Sequence, residues 1–352
     1  MTRERLISPT IQSEDHETIS EEPVSIPSVR PTTLDQFLGQ SELRERMSVA
    51  LDAAKERKGP MEHTLLYGPP GLGKTTLAHV IANELDTRAW VTSGPALTKG
   101  SDLVGTLTRM EPNDVLFIDE IHRLPAAVEE YIYPAMEDYK IDFTLDTGMH
   151  ARVVTYALQP FTLIGATTRA GLLTAALRSR FGIVHNIRFY DEDELTQILV
   201  QAAPKLLMPS SSVSSSSVSA SSVSSNEDID LFHLIAKRSR GTPRIALRLL
   251  RRVRDYSLVR CNKLFDESVV DAALQLEGID ESGLDSLDRM YLDTIFSIYE
   301  GGPVGVEAIA ATLGEDAGTL EDVVEPYLLQ AGYVSRTRQG RKITPKGVQI
   351  IQ

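Results

Sequence analysis

Residues Gly68 to Thr75 read GPPGLGKT. The spacing G-x-x-x-x-G-K-T sets glycines, a lysine and a hydroxyl along one short loop. Glycines let successive backbone N–H groups wrap a phosphate, Lys74 neutralises its β and γ oxygens, and Thr75 offers a hydroxyl to Mg²⁺. An apolar run precedes the octet and TTLAHVIANEL follows it with helical periodicity. That context favours a strand–loop–helix phosphate cradle over a chance match in a Gly-rich turn. A second cluster, DVLFIDE, is an apolar run ending in two acids. Asp119 is placed to hold the Mg²⁺ shell, and Glu120 to orient an attacking water, which separates hydrolysis from mere nucleotide binding.

Two further stretches carry cations. LIGATTRAGLLTAALRSRFG puts Thr167 and Thr168 at the end of an apolar run, with a hydroxyl able to read the γ-phosphate, followed by Arg178 and Arg180. These arginines either pair with surface acids or reach a neighbouring subunit's phosphate pocket, since an Arg just past a strand edge lies far from its own. An arginine supplied in trans accelerates phosphoryl transfer by roughly 10³–10⁵ and implies a ring of subunits. In RGTPRIALRLL, Thr242 is the expected N-cap, Pro243 the first helical residue and Arg244 a first-turn cation. A cation there opposes the helix dipole. An anionic ligand resolves the conflict, so Arg244 is predicted to contact a γ-phosphate, the alternative being a structural ion pair.

The elements that must position these residues follow from hydrophobic patterning. HTLLYG, RAWVTSG, DVLFIDE, FTLIGATT and IVHNIRF are short apolar runs separated by helical patterns, which predicts an α/β fold: a parallel sheet covered by helices on both faces. This large domain is expected over 29–190, after an acidic tail at 1–28 that is expected to be disordered. Strand signals stop at Asp191, where DEDELTQILVQAA opens with a capping-box pattern, Asp191 with Glu194 three residues on. A small helical domain is expected over 191–276. Within it, 210–225 is SSSVSSSSVSASSVSS, expected to be a flexible surface insertion. The remainder, 277–352, reads as helix, helix and β-hairpin, the order of a winged helix. Its hairpin holds Arg336, Arg338, Arg341, Lys342 and Lys346, whereas the second helix carries Glu321, Asp322 and Glu325. Carboxylates repel phosphates, so the hairpin is expected to grip nucleic-acid backbone without reading sequence.

Composition bounds the rest. The chain has 49 acidic and 36 basic side chains, a formal net charge of -13, which argues against diffuse nucleic-acid binding over the whole surface. Cys261 is the single cysteine, so no intramolecular disulfide forms and a reducing compartment fits. No apolar run approaches the ~18 residues of a membrane span. The opening MTRERLISPT lacks a signal-peptide core. A cytoplasmic protein with no membrane contact is expected.

The P-loop, FIDE, GATT, RSRF and GTPR, in that order, resemble the AAA+ ATPases. The longer strings RPTTLDQFLGQ, GPPGLGKTTLA, DEIHRL, YPAMEDY, FTLIGATTRAG, RGTPRIALRLLRRVRD, GGPVG and EDVVEPYLLQAGY resemble the RuvB family of bacterial Holliday-junction branch-migration motors. The resemblance spans about Val29 to Lys346, interrupted by the Ser-rich segment. It implies an AAA+ P-loop domain, a helical lid and a C-terminal winged-helix domain. The implied function is ATP-dependent branch migration of Holliday junctions in homologous recombination and DNA repair, with ATP and Mg²⁺ as cofactors. Val29 and Arg30 would border the adenine pocket, with Tyr190 near the nucleotide. Gly71, Lys74, Thr75 and Thr76 would hold phosphates, and Glu137, Asp138 and Tyr139 would line the site. Thr75 and Asp119 would hold the metal. Thr168 matches sensor 1, Arg180 the arginine finger and Arg244 sensor 2, while Arg336 and Arg341 match DNA-contacting positions. The implied partners are Holliday-junction and duplex DNA, a RuvA-like junction-binding protein docking on the hairpin 141–158, a RuvC-like resolvase, and copies of the chain in a hexameric ring. Two positions depart from the family pattern: Ser179, where an Asp is common, and Ala317, where relatives carry an Arg.

Three other uses of such a core stay in view. A clamp-loader subunit typically has Cys in the finger motif, where this chain has SRF. A protein unfoldase needs an aromatic pore loop, and SGPALTKGSDLVG has no aromatic residue. A nucleotide-switched binding protein would have no need of Glu120 and Arg180.

Overall fold

A computed structural model describes residues 29–144, 153–207 and 226–352. Each of the five apolar runs forms a strand of one parallel sheet. These strands are β1 (Thr64–Tyr67), β2 (Ala89–Ser93), β3 (Val115–Asp119), β6 (Thr162–Thr167) and β7 (Ile183–Asn186), in the order β2-β3-β6-β1-β7. The antiparallel pair β4 (Lys140–Thr144) and β5 (Val153–Ala157) stands apart from it. Strand β6 is buried throughout, as a central parallel strand covered on both faces must be. In β3 successive side chains take opposite faces: Val115 and Phe117 enter one core cluster, Leu116 and Ile118 the other.

The first cluster extends beyond the sheet. It joins Leu77 and Ile81 of the helix Lys74–Glu84 to Leu199, Phe232 and Leu249 of the helices Glu192–Leu207, Asn226–Lys237 and Pro243–Arg260. The large domain and the lid therefore share one continuous core. The capping box at the first lid helix forms: Glu194 N–H donates to Asp191 Oδ1 (2.7 Å), and Asp191 N–H to Glu194 Oε2 (3.2 Å). In Pro243–Arg260 the buried positions Ala246, Leu249, Leu250, Val253 and Ser257 make one helical face, leaving the arginines on the other.

The C-terminal unit has its own cluster, including Tyr291, Leu292, Ile309, Leu320, Leu328 and Ile343. Its helical segments include Ser286–Asp293, Val306–Leu313 and a run through Ala317–Thr319, the π-helical Leu320–Val324 and Glu325–Gln330. The hairpin of β8 (Val334–Thr337) and β9 (Gly340–Ile343) follows. Arg240 ties this unit to the lid. Its Nε donates to Gly283 O (2.8 Å), and its Nη2 lies 2.7 Å from Asp285 and 2.5 Å from the fully buried Asp288. Burial pushes the Asp288 carboxyl up to about 7, against the pull of Arg240. At the sheet's outer edge, Trp90 on β2 donates its Nε1–H to Asp114 (2.7 Å), and the Arg88 guanidinium lies 4.2 Å from the ring centroid.

The acidic tail 1–28 and the Ser-rich segment 210–225 lie outside the described residues, as does 145–152 within the hairpin 141–158. What is described of that hairpin pairs Ile141 with Tyr156 and buries Ile141, while Val154 and Tyr156 are exposed. Among the described residues no helix is long and apolar enough to cross a membrane.

Candidate active site

Strand order places the chemistry. Strands β3, β6 and β1 are neighbours, so Asp119, Thr167 and the loop after Tyr67 emerge together at their C-terminal ends, where open α/β sheets bind ligands. A cavity of about 650 Å³ opens there. Lys74, Thr75 and Thr76 line it from the phosphate loop, with Asp119, Glu120 and Thr168 opposite. Val29, Arg30 and Tyr190 line another part, and the lid contributes Arg244. Gly71 also borders the cavity.

The loop geometry depends on two glycines. Gly71 has φ 81°, and a Cβ there would meet Thr242 Cγ2 at 2.8 Å and Arg244 Cβ at 3.2 Å. Gly73, at φ 98°, is the N-cap of Lys74–Glu84 and brings no side-chain cap. The first N–H groups of that helix thus face the cavity with its positive dipole end, an anion site. Lys74 Nζ donates to Gly68 O (2.9 Å) and Pro69 O (2.7 Å). Burial lowers its pKa to about 8; Asp119 pulls it back up and Arg244 pushes it further down. The Tyr190 hydroxyl donates to Leu72 O (3.3 Å), and burial holds its pKa well above the usual phenol range.

Asp119 accepts the Glu120 N–H (2.9 Å). Glu120 itself sits at φ 47°, with its carboxylate 2.9 Å from Arg123 Nη1. His122 Nδ1 lies 2.9 Å from Thr167 Oγ1, which also accepts the Arg169 N–H (3.0 Å). The donor set for a cation comprises the Thr75 hydroxyl and the Asp119 carboxylate. These hard oxygens fit Mg²⁺, and their small number fits an ion completed by nucleotide phosphates.

Arg180 does not line this cavity. It stacks over the Tyr133 ring (4.3 Å), and its Nη1 donates to Ala176 O (2.7 Å). Its buried Nε lies 3.1 Å from Glu137 Oε1 without forming a hydrogen bond. Ser179 makes no direct bond to Arg180 but shares its acceptor, the hydroxyl donating to the same Ala176 O (3.0 Å).

Four expectations need correction. Glu137, Asp138 and Tyr139 do not line the chain's own cavity. The helix Ala126–Asp138 ends at Tyr139 in left-handed conformation, and the Tyr139 ring packs edge-on against His63 and Phe161 instead. Thr242 is the N-cap residue but makes no side-chain cap: its hydroxyl donates to Arg240 O (3.1 Å) and its methyl faces Gly71. The cations of the wing are not all uncommitted. Fully buried Glu325 accepts from Tyr291 Oη (2.8 Å), Arg336 Nε (2.8 Å) and Arg341 Nε (2.8 Å), while Arg341 Nη2 reaches Glu321 (2.7 Å). Lys346 Nζ donates to Ala331 O (2.8 Å). Finally, the acids of the second helix do not form a repelling face, because Asp322 too is paired, with Arg169. The side chains of Arg338 and Lys342 make no hydrogen bond or ion pair among the described residues. Ala317 begins its short helix packed against the wing core.

Sequence reasoning missed several cavity residues, among them Gln201, Leu247 and Arg251 of the lid. Leu247 and Arg251 follow Arg244 by three and seven residues, the spacing of one helical face, and that signal was available.

Three family models match successive parts of the chain. The Holliday junction DNA helicase RuvB P-loop domain covers 29–187, the RuvB AAA lid domain 216–280 and the RuvB C-terminal winged helix domain 281–352. The Holliday junction branch migration complex subunit RuvB of Desulfosudis oleivorans is 50% identical over 329 residues, 94% of this chain and 91% of that protein. The structure of the Thermotoga maritima RuvB Holliday junction branch migration motor is 48% identical with a TM-score of 0.77, covering 92% of this chain and 98% of that one. A mutant of the same Thermotoga protein matches with a TM-score of 0.79 at 47% identity over the same shares of both chains.

Proposed function

The chain belongs to the RuvB family, and from that premise we propose that it is an ATP-hydrolysing motor that drives branch migration of Holliday junctions. The observation that carries this reading is the convergence of Lys74, Thr75, Asp119, Glu120, Thr168 and Arg244 on one cavity.

In the proposed mechanism, Lys74 and the N–H groups at the start of its helix hold the β- and γ-phosphates of ATP. Thr75 and Asp119 would hold Mg²⁺, which would supply neutralising charge at the phosphates. Glu120 leaves Arg123 and accepts a hydrogen bond from the attacking water. Water oxygen bonds to the γ-phosphorus as the bond to the β–γ bridging oxygen breaks. Thr168 and Arg244 contact the departing phosphoryl group from two sides, while Val29, Arg30 and Tyr190 enclose the base. Arg180 acts on a neighbour's nucleotide. What supports the trans assignment is its absence from the lining of its own chain's cavity and a buried Nε that lies beside Glu137 without a hydrogen bond. Glu137, beside Arg180, and Asp138 are proposed to belong to that same shared site, with Tyr139 closing their helix. A homo-oligomeric ring, which we take as a hexamer, follows from an arginine working in trans.

The wing is proposed to grip duplex backbone through Arg338 and Lys342. Arg336 and Arg341 join them through their Nη1 groups, since a guanidinium has five N–H donors and Glu325 and Glu321 take only some. Val154 and Tyr156 expose apolar surface suited to a RuvA-like partner. A RuvC-like resolvase and a cytoplasmic location complete the proposal.

The test is ATP turnover with a four-way junction and a RuvA-like partner. Junction plus partner should stimulate wild-type turnover well beyond either alone, and Glu120→Gln should bind ATP without turning it over. Equal turnover with and without junction and partner would reject the motor reading.

A further inference from the structure

Arg169 stands between the cavity and the winged helix. It follows Thr168, which lines the cavity, and its own N–H donates to Thr167 Oγ1 (3.0 Å). Its side chain leaves the large domain. Both Nε (3.0 Å) and Nη2 (2.6 Å) reach Asp322 Oδ1, 153 residues away in the π-helical turn Leu320–Val324 of the winged-helix unit. π-turns are often found at functional positions.

Two features argue against an incidental surface pair. Glu321 and Glu325 are already committed to Arg341 and Arg336, so Asp322 is the acid of this helix that remains for another domain. The surroundings of His122 also show how compact the cluster is. Burial lowers its pKa first; Glu120 and Asp322 act on the ring with one sign, Arg169 and Arg123 with the other. One imidazole is thus within electrostatic reach of the water-orienting carboxylate and of an aspartate from the winged-helix unit. The side chains of Arg169 and Asp322 are 39% and 49% exposed, so their contact opens without unfolding either unit.

We propose that Asp322 is a positioning residue for ATP hydrolysis. By holding the Arg169 guanidinium it fixes the turn after β6 and keeps the Thr168 hydroxyl aimed at the terminal phosphate. The winged helix is thereby felt at the active site through a contact that movement of the winged-helix unit breaks. This rests on the proposed role of Thr168 as the γ-phosphate reader.

The test measures ATP turnover of the full chain without DNA, at low salt. Asp322→Asn should lower kcat by about two- to five-fold, the rate equivalent of an exposed ion pair, with KM unchanged. Reversing the pair, Arg169→Asp with Asp322→Arg, should restore most of kcat, whereas each single reversal stays low. Reversal would also restore a merely structural pair, so the folded fraction of each variant is read by circular dichroism: a kcat loss at full folded fraction is positioning, and a loss matched by missing folded protein overturns the inference. Thr168→Ala serves as the second arm. If it hydrolyses ATP like wild type, the assignment of Thr168 fails and the inference falls with it. If Thr168→Ala is inactive while Asp322→Asn matches wild type or changes only KM, the inference alone is overturned. A reversed pair no better than its worse single variant overturns it equally.

Discussion

Arg341→Ala should destabilise the winged helix far more than loss of a surface cation would. The Arg341 side chain is 14% exposed and shares the carboxylate of Glu325, whose side chain is 0% exposed, with Arg336 and Tyr291. Removing one partner of a buried pair strands the other charge, at a cost of about 3–5 kcal/mol. Arg336 remains to compensate, although it is 48% exposed, so the lower figure applies. A unit the size of 281–352 has roughly 4–11 kcal/mol of stability in all, so the variant folds at low temperature but with little margin. At ~4–8 °C per kcal/mol, 3 kcal/mol lowers its melting temperature by about 12–24 °C. Scanning calorimetry should resolve this transition moving while that of the ATPase core stays in place. DNA-free ATP turnover at low temperature should hold. Adding Glu325→Gln should recover a large part of the loss, because the stranded carboxylate is gone. A melting profile within about 2 °C of wild type would refute the reasoning. So would a double variant no more stable than the single one.

Lys74→Met should abolish nucleotide binding yet stabilise the protein, since a shift from 10.5 to about 8 corresponds to at most about 3 kcal/mol held against folding. With the folded pKa below the unfolded one, wild-type stability should rise with pH between about 8 and 10.5, and urea melts of Lys74→Met should lack that rise. Arg180→Ala mixed with Lys74→Ala should regain turnover that neither has alone; mixed rings that stay inactive would place Arg180 in cis. Arg338→Ala and Lys342→Ala should each weaken duplex binding equally on unrelated sequences and flatten the log affinity–log salt slope by ~0.9, with melting unchanged. Losses that depend on sequence would mean the wing reads bases.

How much was legible depended on how far apart the interacting residues lie. The five sheet strands were readable because each is a local apolar run, and Lys74, Asp119 and Arg244 because loop, strand end and helix start each carry their own spacing. Asp191 and Glu194 form the expected capping box within a single turn. Thr242, with the same kind of local signal, does not cap: its hydroxyl turns to Arg240 O, and its methyl faces Gly71, 171 residues earlier. The wing misled for the same reason. Five cations in a short stretch look alike until the buried Glu325, held also by Tyr291, is seen to take two of them, Arg336 and Arg341. Arg169 and Asp322, 153 residues apart, leave no periodic trace at all. The run Glu137–Tyr139 is a further case: nothing local in it shows that Tyr139 packs against His63 and Phe161, from distant parts of the chain, rather than lining the chain's own cavity.

The chain contains one tryptophan, and it sits where β2 meets β3. Trp90 is held by Asp114, with the Arg88 cation over its face. Its register neighbour is Leu116, on the strand that ends at Asp119. Red-edge excitation, which tyrosine does not absorb, therefore yields emission from a single known point on the nucleotide-binding sheet. Cation stacking and the indole N–H bond make its wavelength and intensity sensitive to small slips of β3 along β2. A wing that melts on its own leaves this light unchanged, and a sheet that comes apart extinguishes its special character. The molecule thus carries a built-in optical label for its motor half, with no competing signal from the half that would hold DNA.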